Sequence, residues 1–307
     1  MTVRHVDVVR AGALTTVQDL GRRGHRHLGV PRAGALDLPA HRLANRLVGN
    51  PDHAATLETT LAGLAVRAGC ALTAAVTGAP CPVRVDGRPA AWGAPVRVER
   101  GAVLELGAAT HGVRSYVAFD GGVGVAPVLG SRSRDLLSGL GPAPLREGDT
   151  LPLGRPCGPA AAVDTVASPG VPRELVLPVV PGPRDDWFAK DALRTLAIGA
   201  YRVAPASNRI GLRTEGPALP RARSGELPSE GMVLGAVQVP PDGRPVVFLA
   251  DHPTTGGYPV IGVVPEDRLA AAAQARPGTP VRFVPLRRGA VAQPVRTVPG
   301  AGAVMPS

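Results

Sequence analysis

Residues 101–106 read GAVLEL, residues 148–153 read GDTLPL and residues 278–283 read GTPVRF. In each, a glycine is followed three and five positions later by an apolar residue: Leu104 and Leu106, Leu151 and Leu153, Val281 and Phe283. A spacing of two puts both apolar side chains on one face of a strand, and glycine supplies the turn that feeds it. The pattern occurs in both halves of the chain. It therefore predicts sandwich or barrel elements in each half, although it is too short to be a repeat.

Outward from these strands, the chain begins with period-two alternation: Val3, His5 and Asp7 against Val6 and Val8. A helix is predicted after residue 37. Asp37 caps it, Pro39 suits its first turn, and Ala40, Leu43, Ala44, Leu47 and Val48 form one apolar stripe. Gly49 suits a left-handed C-terminal cap and Pro51 prevents resumption. Residues 154–173, GRPCGPAAAVDTVASPGVPR, read as a linker. Beyond them a strand is predicted at Val176–Val180. A helix is predicted from about Asp186, with Phe188, Ala192, Leu193 and Leu196 inward, and another in the alanine run near 266–275. These readings divide the chain into a β-rich region at 1–160, a second β-rich region at 161–290 and a flexible tail at 291–307.

The composition excludes several classes. The 307 residues include Gly 39 and Pro 34, yet hydrophobic residues are 44% and charged residues only 19%. A disordered chain has the opposite balance, and no G-X-Y period supports collagen. The net charge is +10, carried by arginines except for a single lysine, Lys190. Those arginines are scattered and aromatics are 3%, which argues against a base-stacking nucleic-acid platform and suits small anions instead. Cys70, Cys81 and Cys157 are odd in number and have no CxxC spacing, so they read as buried inert thiols. No apolar signal core and no stretch of about 20 apolar residues is present, so a cytoplasmic protein without a membrane partner is expected.

Familiar catalytic motifs are missing. There is no GxxxxGK[ST], HExxH or GxSxG. GGVGVA at 121–126 lacks the third glycine of a dinucleotide fingerprint, and His25 and His27 read as surface loop residues. Lys190 lies in FAKDAL, outside the methionine-flanked sequence that carries covalent biotin. Four segments instead combine glycines with polar side chains, a composition that exposes backbone N–H groups to an anion. Residues 15–37 offer Gln18, Asp19, Arg22 and Asp37. Residues 207–216 offer Ser207, Asn208, Arg209, Arg213 and Glu215. Residues 228–245 offer Ser229, Glu230 and Gln238, and residues 250–259 offer Asp251, Thr254, Thr255 and Tyr258. Each also has a purely structural reading: a helix cap at Asp37, an ion pair between Arg209 and Glu230, a tight turn at Gly256 and Gly257.

Together the motifs TTVQDLGRRGHRHLGVPRAGALD, HRLANRLVGNP, LETTLAGL, VTGA, GGVGVAPVLGSRS, PGP, SNRIGLRTEG, PSEGMVLGAVQVPPDG and LADHPTTGGYP resemble the allophanate hydrolase subunit 2 family, or biotin-dependent carboxyltransferase family, from about residue 6 to 288. Within it the chain is most similar to the C-type 5-oxoprolinase and KipA-type branches. The resemblance implies a mixed, β-rich α+β fold of two subdomains with cyclophilin-like β-barrel character, of carboxyltransferase subdomain C and D type. It implies a smaller subunit-1-like partner (the B-type 5-oxoprolinase chain) and a third, A-type chain. The activity implied is opening of 5-oxo-L-proline to L-glutamate with ATP hydrolysis by the complex, the chain being inactive alone. ATP, with Mg²⁺ as its companion ion, is the expected cofactor. The alternatives are a urea carboxylase-like carboxyltransferase component and a non-catalytic KipA-type regulator of a histidine kinase.

On this reading Arg209 and Arg213 are expected as anion contacts, with Thr254, Thr255, Gly256 and Gly257 as a donor-rich turn. Gln18 and Gln238 would orient the substrate amide, and Asp19, Glu230 or Asp251 would transfer protons or hold Mg²⁺. No resident metal site is expected. The chain departs from the family's pattern at Arg184 after PGP, at His252 and Pro253, and at Val260 after GGYP. These changes remove donors near an anion site, and Arg184 restores one.

Overall fold

The computed structural model describes residues 4–286, apart from 171 and 226. Val3 and the tail expected at 291–307 lie outside the described residues. The first half contributes β1 (His5–Ala11), β2 (Thr15–Gln18), β3 (Thr56–Thr60), β4 (Leu64–Ala68), β5 (Leu72–Gly78) and β6 (Val83–Val85). It continues with β7 (Arg88–Ala90), β8 (Pro95–Val98), β9 (Val103–Leu106), β10 (Arg114–Phe119) and β11 (Thr150–Pro152). They form two antiparallel sheets, in the orders β11-β1-β4-β9-β6-β7 and β2-β3-β10-β5-β8.

One core lies between these sheets, and alternation explains which side chains enter it. In β5, Leu72, Ala74 and Val76 face that core, whereas Ala75 joins a second cluster under helix α1 (Leu38–Leu47). β10 divides likewise: Val117 and Phe119 face the core, Tyr116 and Ala118 face α1. A strand covered on both faces is buried along its whole length, as β10 is. The expected cap holds: the Asp37 side chain accepts from the Ala40 N–H at 3.0 Å, and Gly49 has φ 76°. A Cβ at Gly49 would meet the Pro159 carbonyl oxygen at 2.4 Å, so backbone approach as well as φ demands glycine there.

No regular element occupies residues 154–170. Beyond them come β12 (Leu175–Pro181), α2 (Ala192–Ile198), β13 (Tyr201–Val203), β14 (Gly211–Glu215), β15 (Glu230–Gly231) and β16 (Ala236–Gln238). β17 (Val246–Phe248), β18 (Thr255–Gly256), β19 (Val260–Val263), α3 (Leu269–Ala273) and β20 (Pro280–Pro285) follow. Seven of these strands close a barrel, β12-β19-β16-β17-β14-β13-β20, sealed by the parallel pairing of β12 with β20 in which Leu177 faces Phe283. Its core gathers Leu177, Val203, Val237, Val247, Ile261 and Phe283. Closure removes the free edges that an open sheet exposes. β15 and β18 pair separately as a short ribbon.

The three glycine-led strands are β9, β11 and β20, and Gly101, Gly148 and Gly278 have φ of 87°, 86° and 83°. Two expectations need correction. The helix predicted from Asp186 is broken: a 3-10 turn spans Asp185–Trp187, then Phe188 turns extended and bridges Arg221 before α2 begins at Ala192. Its apolar spacing is real, but a backbone pairing outcompetes the helix at Phe188. Of the three thiols only Cys81 is buried; Cys70 is half-buried, and Cys157 is exposed because it sits in the irregular connection. Among the described residues no helix is long and apolar enough to cross a membrane.

Candidate functional site

The four polar segments converge where the first half meets the barrel. Ala33 N–H donates to the Ala250 carbonyl at 3.1 Å and Asp251 N–H to the Arg209 carbonyl at 3.1 Å. Met232 N–H reaches the Thr254 carbonyl at 2.8 Å and Leu227 N–H the Gly257 carbonyl at 2.9 Å. Segment 250–259 thus runs from the junction at one end to the β15–β18 ribbon at the other.

At the junction Arg209 is 2% exposed. Its Nε and Nη2 donate to the two oxygens of Asp251, each at 2.9 Å, and Nη2 also reaches the Gly34 carbonyl at 2.7 Å. Its Nη1 donates to Glu58, a residue of β3 in the first half. Glu58 further accepts from the Leu36 N–H at 3.0 Å and the Tyr116 hydroxyl at 2.7 Å, and Arg114 stands 3.6 Å away. Tyr116 in turn accepts from the Asp37 N–H at 2.8 Å. Gln274, beyond α3, donates to Asp37 at 2.8 Å and accepts from the Val113 and Arg114 N–H groups at 2.9 Å each. This network ties the sheets to the barrel.

Burial alone would lower the Arg209 guanidinium's pKa, but the Asp251 and Glu58 carboxylates outweigh it and hold it above its ordinary value. Burial pushes Glu58 up, and Arg209 with Arg114 overcomes that and leaves it below the usual carboxylate range. Asp251 is hydrogen-bonded to one arginine, and burial, helped by the Asp135 charge, wins there: its carboxyl is raised.

These contacts revise several expected roles. Arg209 has every guanidinium nitrogen engaged by protein, so in this chain it is a structural tie and not a free anion contact. It does not pair with Glu230. Asp251 is fully buried, holding Arg209 and the Leu136 N–H at 3.0 Å. Asp19 is saturated: the Ser131 and Ser133 hydroxyls, each at 2.6 Å, and the Gly21 N–H at 2.8 Å meet one oxygen, and the Arg132 N–H meets the other at 2.6 Å. Among the described residues no group of three or more His, Cys, Asp or Glu could hold a metal ion. Asp19, Glu230 and Asp251 do not come together as one group of metal ligands. Gln18 is buried, donating to Thr16 Oγ1 and the Arg134 carbonyl at 3.0 Å each, with Oε1 unpartnered. Arg213 lies exposed on β14, between the inward residues Leu212 and Thr214.

The ribbon does bring expected residues together. Glu230 pairs in register with Gly256, and Gly231 with Thr255. Gln238 donates to the Tyr258 carbonyl at 3.3 Å, and a Cβ on Gly256 would stand 2.9 Å from the Gln238 amide nitrogen. Glu230 takes a forked bond from Arg184, whose Nε lies 3.1 Å from both carboxylate oxygens. The hydrogen bond from Arg184 holds Glu230 below its usual range, although the pair is partly open to solvent. Thr254 and Gly257 are half-buried and Thr255 exposed. This ribbon is the accessible part of the expected site.

Two of the cavities beside the junction meet at Arg32. One, of about 420 Å³, is lined chiefly by apolar groups including Leu20, Leu36, Leu234, Leu249 and Leu269, a size that suits a small molecule. The other, of about 230 Å³, is lined by Arg22, Arg23, Gly24, Arg26 and Arg32. Arg32 lines both. Sequence reasoning missed Glu58, Tyr116, Arg114 and Gln274. The one available signal was Glu58 itself, a charge inside TLETTL, where a buried strand position obliges an ionic partner.

A closed barrel docked on a β-sandwich through a buried ionic network matches a known class. The chain belongs to the carboxyltransferase-domain family, whose model for subdomains A and B matches residues 28–285. That lettering differs from the C and D type expected, because the motifs report the family and not which of its subdomains carries them. The chain is 39% identical over 283 residues to the Escherichia coli protein named as the C chain of 5-oxoprolinase, covering 90% of each. It superposes on the crystal structure of TTHA0988 with TM-score 0.83 and 39% identity, covering 92% of this chain and 56% of that one. It superposes on the K. lactis urea amidolyase with TM-score 0.87 and 30% identity, covering 94% of this chain and 19% of that one. The chain thus spans little more than half of the first of these structures and a fifth of the second.

Proposed function

We propose that the chain is the C-type component of an ATP-dependent 5-oxoprolinase that opens 5-oxo-L-proline to L-glutamate with B-type and A-type partner chains. The observation that carries this reading is the end-to-end match to a protein named as that component: 39% identity with 90% of both chains covered. A lactam resists hydrolysis because nitrogen donates into the carbonyl. Transfer of the terminal phosphoryl of ATP to the lactam oxygen, with ADP leaving, makes the ring carbon electrophilic; water adds there, the ring C–N bond breaks with the nitrogen departing as the amine, and a second water releases phosphate from the resulting acyl phosphate. Such chemistry asks for donors to oxyanions and an ionised carboxylate. The ribbon offers Thr254, Thr255, Gly256 and Gly257 beside Gln238, with Glu230 ionised against Arg184. The site is completed by a partner chain, so the isolated protein is inactive. The unpaired cysteines suit a cytoplasmic setting.

A test is to co-express the chain with its genomic neighbours and measure glutamate release from 5-oxoproline with and without ATP. ATP-dependent release by the complex, and none by the chain alone, is expected. A folded, complete complex that releases no glutamate would refute the reading. The likeness to urea amidolyase favours a second reading, a carboxyltransferase component that receives biotin on another chain. Carboxylation of urea with a biotinylated partner would then replace glutamate release.

A further inference from the structure

The arginine-lined cavity contains none of the residues assigned to the reaction proposed above. Arg22 forms its inner wall at 2% exposure. Its Nη2 donates to the Ser133 carbonyl and its Nε to the Val128 carbonyl at 3.4 Å, but Nη1 is buried without a partner. A buried guanidinium N–H left unpaired costs the desolvation it has already undergone, and a ligand that accepts from it recovers that cost. Arg23 and Arg26 stand exposed at the rim and make no ion pair among the described residues. Arg32 is paired with Glu266 at 2.7 Å. Behind Arg22, Asp135, Asp19 and Asp251 act on it from the protein side, but the cavity lining itself contains no carboxylate.

Across the same loop His252 is 1% exposed and stacked on Phe248 at 5.7 Å. Its Nδ1–H donates to the Pro253 carbonyl at 2.7 Å, which leaves Nε2 buried and unpartnered. Burial lowers its pKa first. Arg26 and Arg32 lower it further, which places both guanidiniums within electrostatic reach.

We propose that this cavity is a binding site, on this chain alone, for a phosphate-class oxyanion held by Arg22, Arg23 and Arg26. Three guanidiniums, none of them in a direct ion pair among the described residues, match a dianion better than a single carboxylate, and fork-shaped donors suit a tetrahedral oxyanion. A volume of about 230 Å³ admits phosphate with a few waters but not a whole nucleotide. The ligand is therefore free phosphate or the terminal phosphate of a longer molecule that extends into solvent.

The test uses the full-length chain without partners. Sodium phosphate is titrated by calorimetry against sodium chloride of matched ionic strength, on wild type and on Arg23→Gln and Arg26→Gln. Both substitutions lie at exposed positions, so folding is preserved. Saturable phosphate binding is expected, weakened about tenfold by either substitution, the effect of one lost charge-assisted hydrogen bond. The His252 ring protons should titrate at higher pH when phosphate is bound, because the anion offsets Arg26 and Arg32. Phosphate binding no stronger than chloride, or wild-type affinity in the Arg23→Gln/Arg26→Gln double variant, would overturn the proposal. Magnesium-ATP binding tighter than phosphate would identify the ligand as a nucleotide's terminal phosphate, and equal or weaker binding as free phosphate; either supports the site.

Discussion

Two groups of arginines lie near the junction and differ in what faces them. Arg209 and Arg114 meet Glu58 and Asp251 in a buried network that joins sheets to barrel. Arg22, Arg23 and Arg26 meet a cavity without a carboxylate in its lining. The residue type is the same, and Arg209 shares with Arg22, Arg23 and Arg26 an origin in glycine-flanked polar segments. What separates a structural arginine from a binding one is whether the fold has already supplied its counter-charge. A buried charge with its partners present is a fixed tie, whereas one with an unmet donor is poised for a ligand.

The sharpest way to break this comparison is stability. Arg209→Met leaves Asp251 and Glu58 as buried carboxylates without their shared cation. It is expected to cost about 3–5 kcal/mol in denaturant unfolding, or to prevent folding outright. Asp251→Asn, which keeps shape and removes one charge, gives a measurable intermediate loss. Arg26→Gln, on an exposed loop, is expected to stay within about 0.5 kcal/mol of wild type. Equal losses from Arg209→Met and Arg26→Gln would erase the distinction.

Acid sharpens it next. His41 is fully buried, accepting from the Thr56 hydroxyl at 2.9 Å and donating to the Asp52 carbonyl at 3.1 Å. Burial holds it near pKa 4 against an ordinary 6.5. Between those values the unfolded chain binds the proton and the folded chain does not, so stability falls as pH falls through that window. The loss is on the order of 3 kcal/mol. Glu58, held below its ordinary 4.5, gives up its contribution only at still lower pH. Asp251 and Asp37, raised by burial, act in the opposite sense. His41→Gln should therefore flatten the stability profile between pH 6.5 and 4 while the junction stays closed. A profile that is unchanged by His41→Gln would assign the acid sensitivity to the junction instead.

Much of this frame was legible in the sequence because local chemistry decided it. Asp37, Pro39 and Gly49 bounded a helix through capping and φ, and Gly101, Gly148 and Gly278 announced strands through turns. Such signals need only neighbours in the chain. The helix predicted at Asp186 failed because Phe188 pairs with Arg221, a contact across 33 positions that periodicity does not register. The junction was legible only in part for the same reason. Arg209 and Asp251 stood out by type, but their partner Glu58 lies 151 positions from Arg209. Only the fold shows that the pair is already satisfied, and only the fold shows that Arg22 is not.

The smallest effect concerns the ion pair on the ribbon. Arg184 and Glu230 are joined by a forked bond, yet their side chains are 39% and 30% exposed. Solvent screens such a pair, so Arg184→Gln should leave the unfolding midpoint within measurement error. Its effect belongs to chemistry instead. The Arg184 hydrogen bond holds Glu230 below its ordinary value, so losing it moves the carboxyl upward. If Glu230 takes a proton in the assembled complex, the acid limb of the pH–rate profile moves to higher pH in Arg184→Gln, since a weaker acid protonates sooner as pH falls. An acid limb that does not move, with the same midpoint, would make the ribbon's ion pair another structural tie and shift the search for the base to a partner chain.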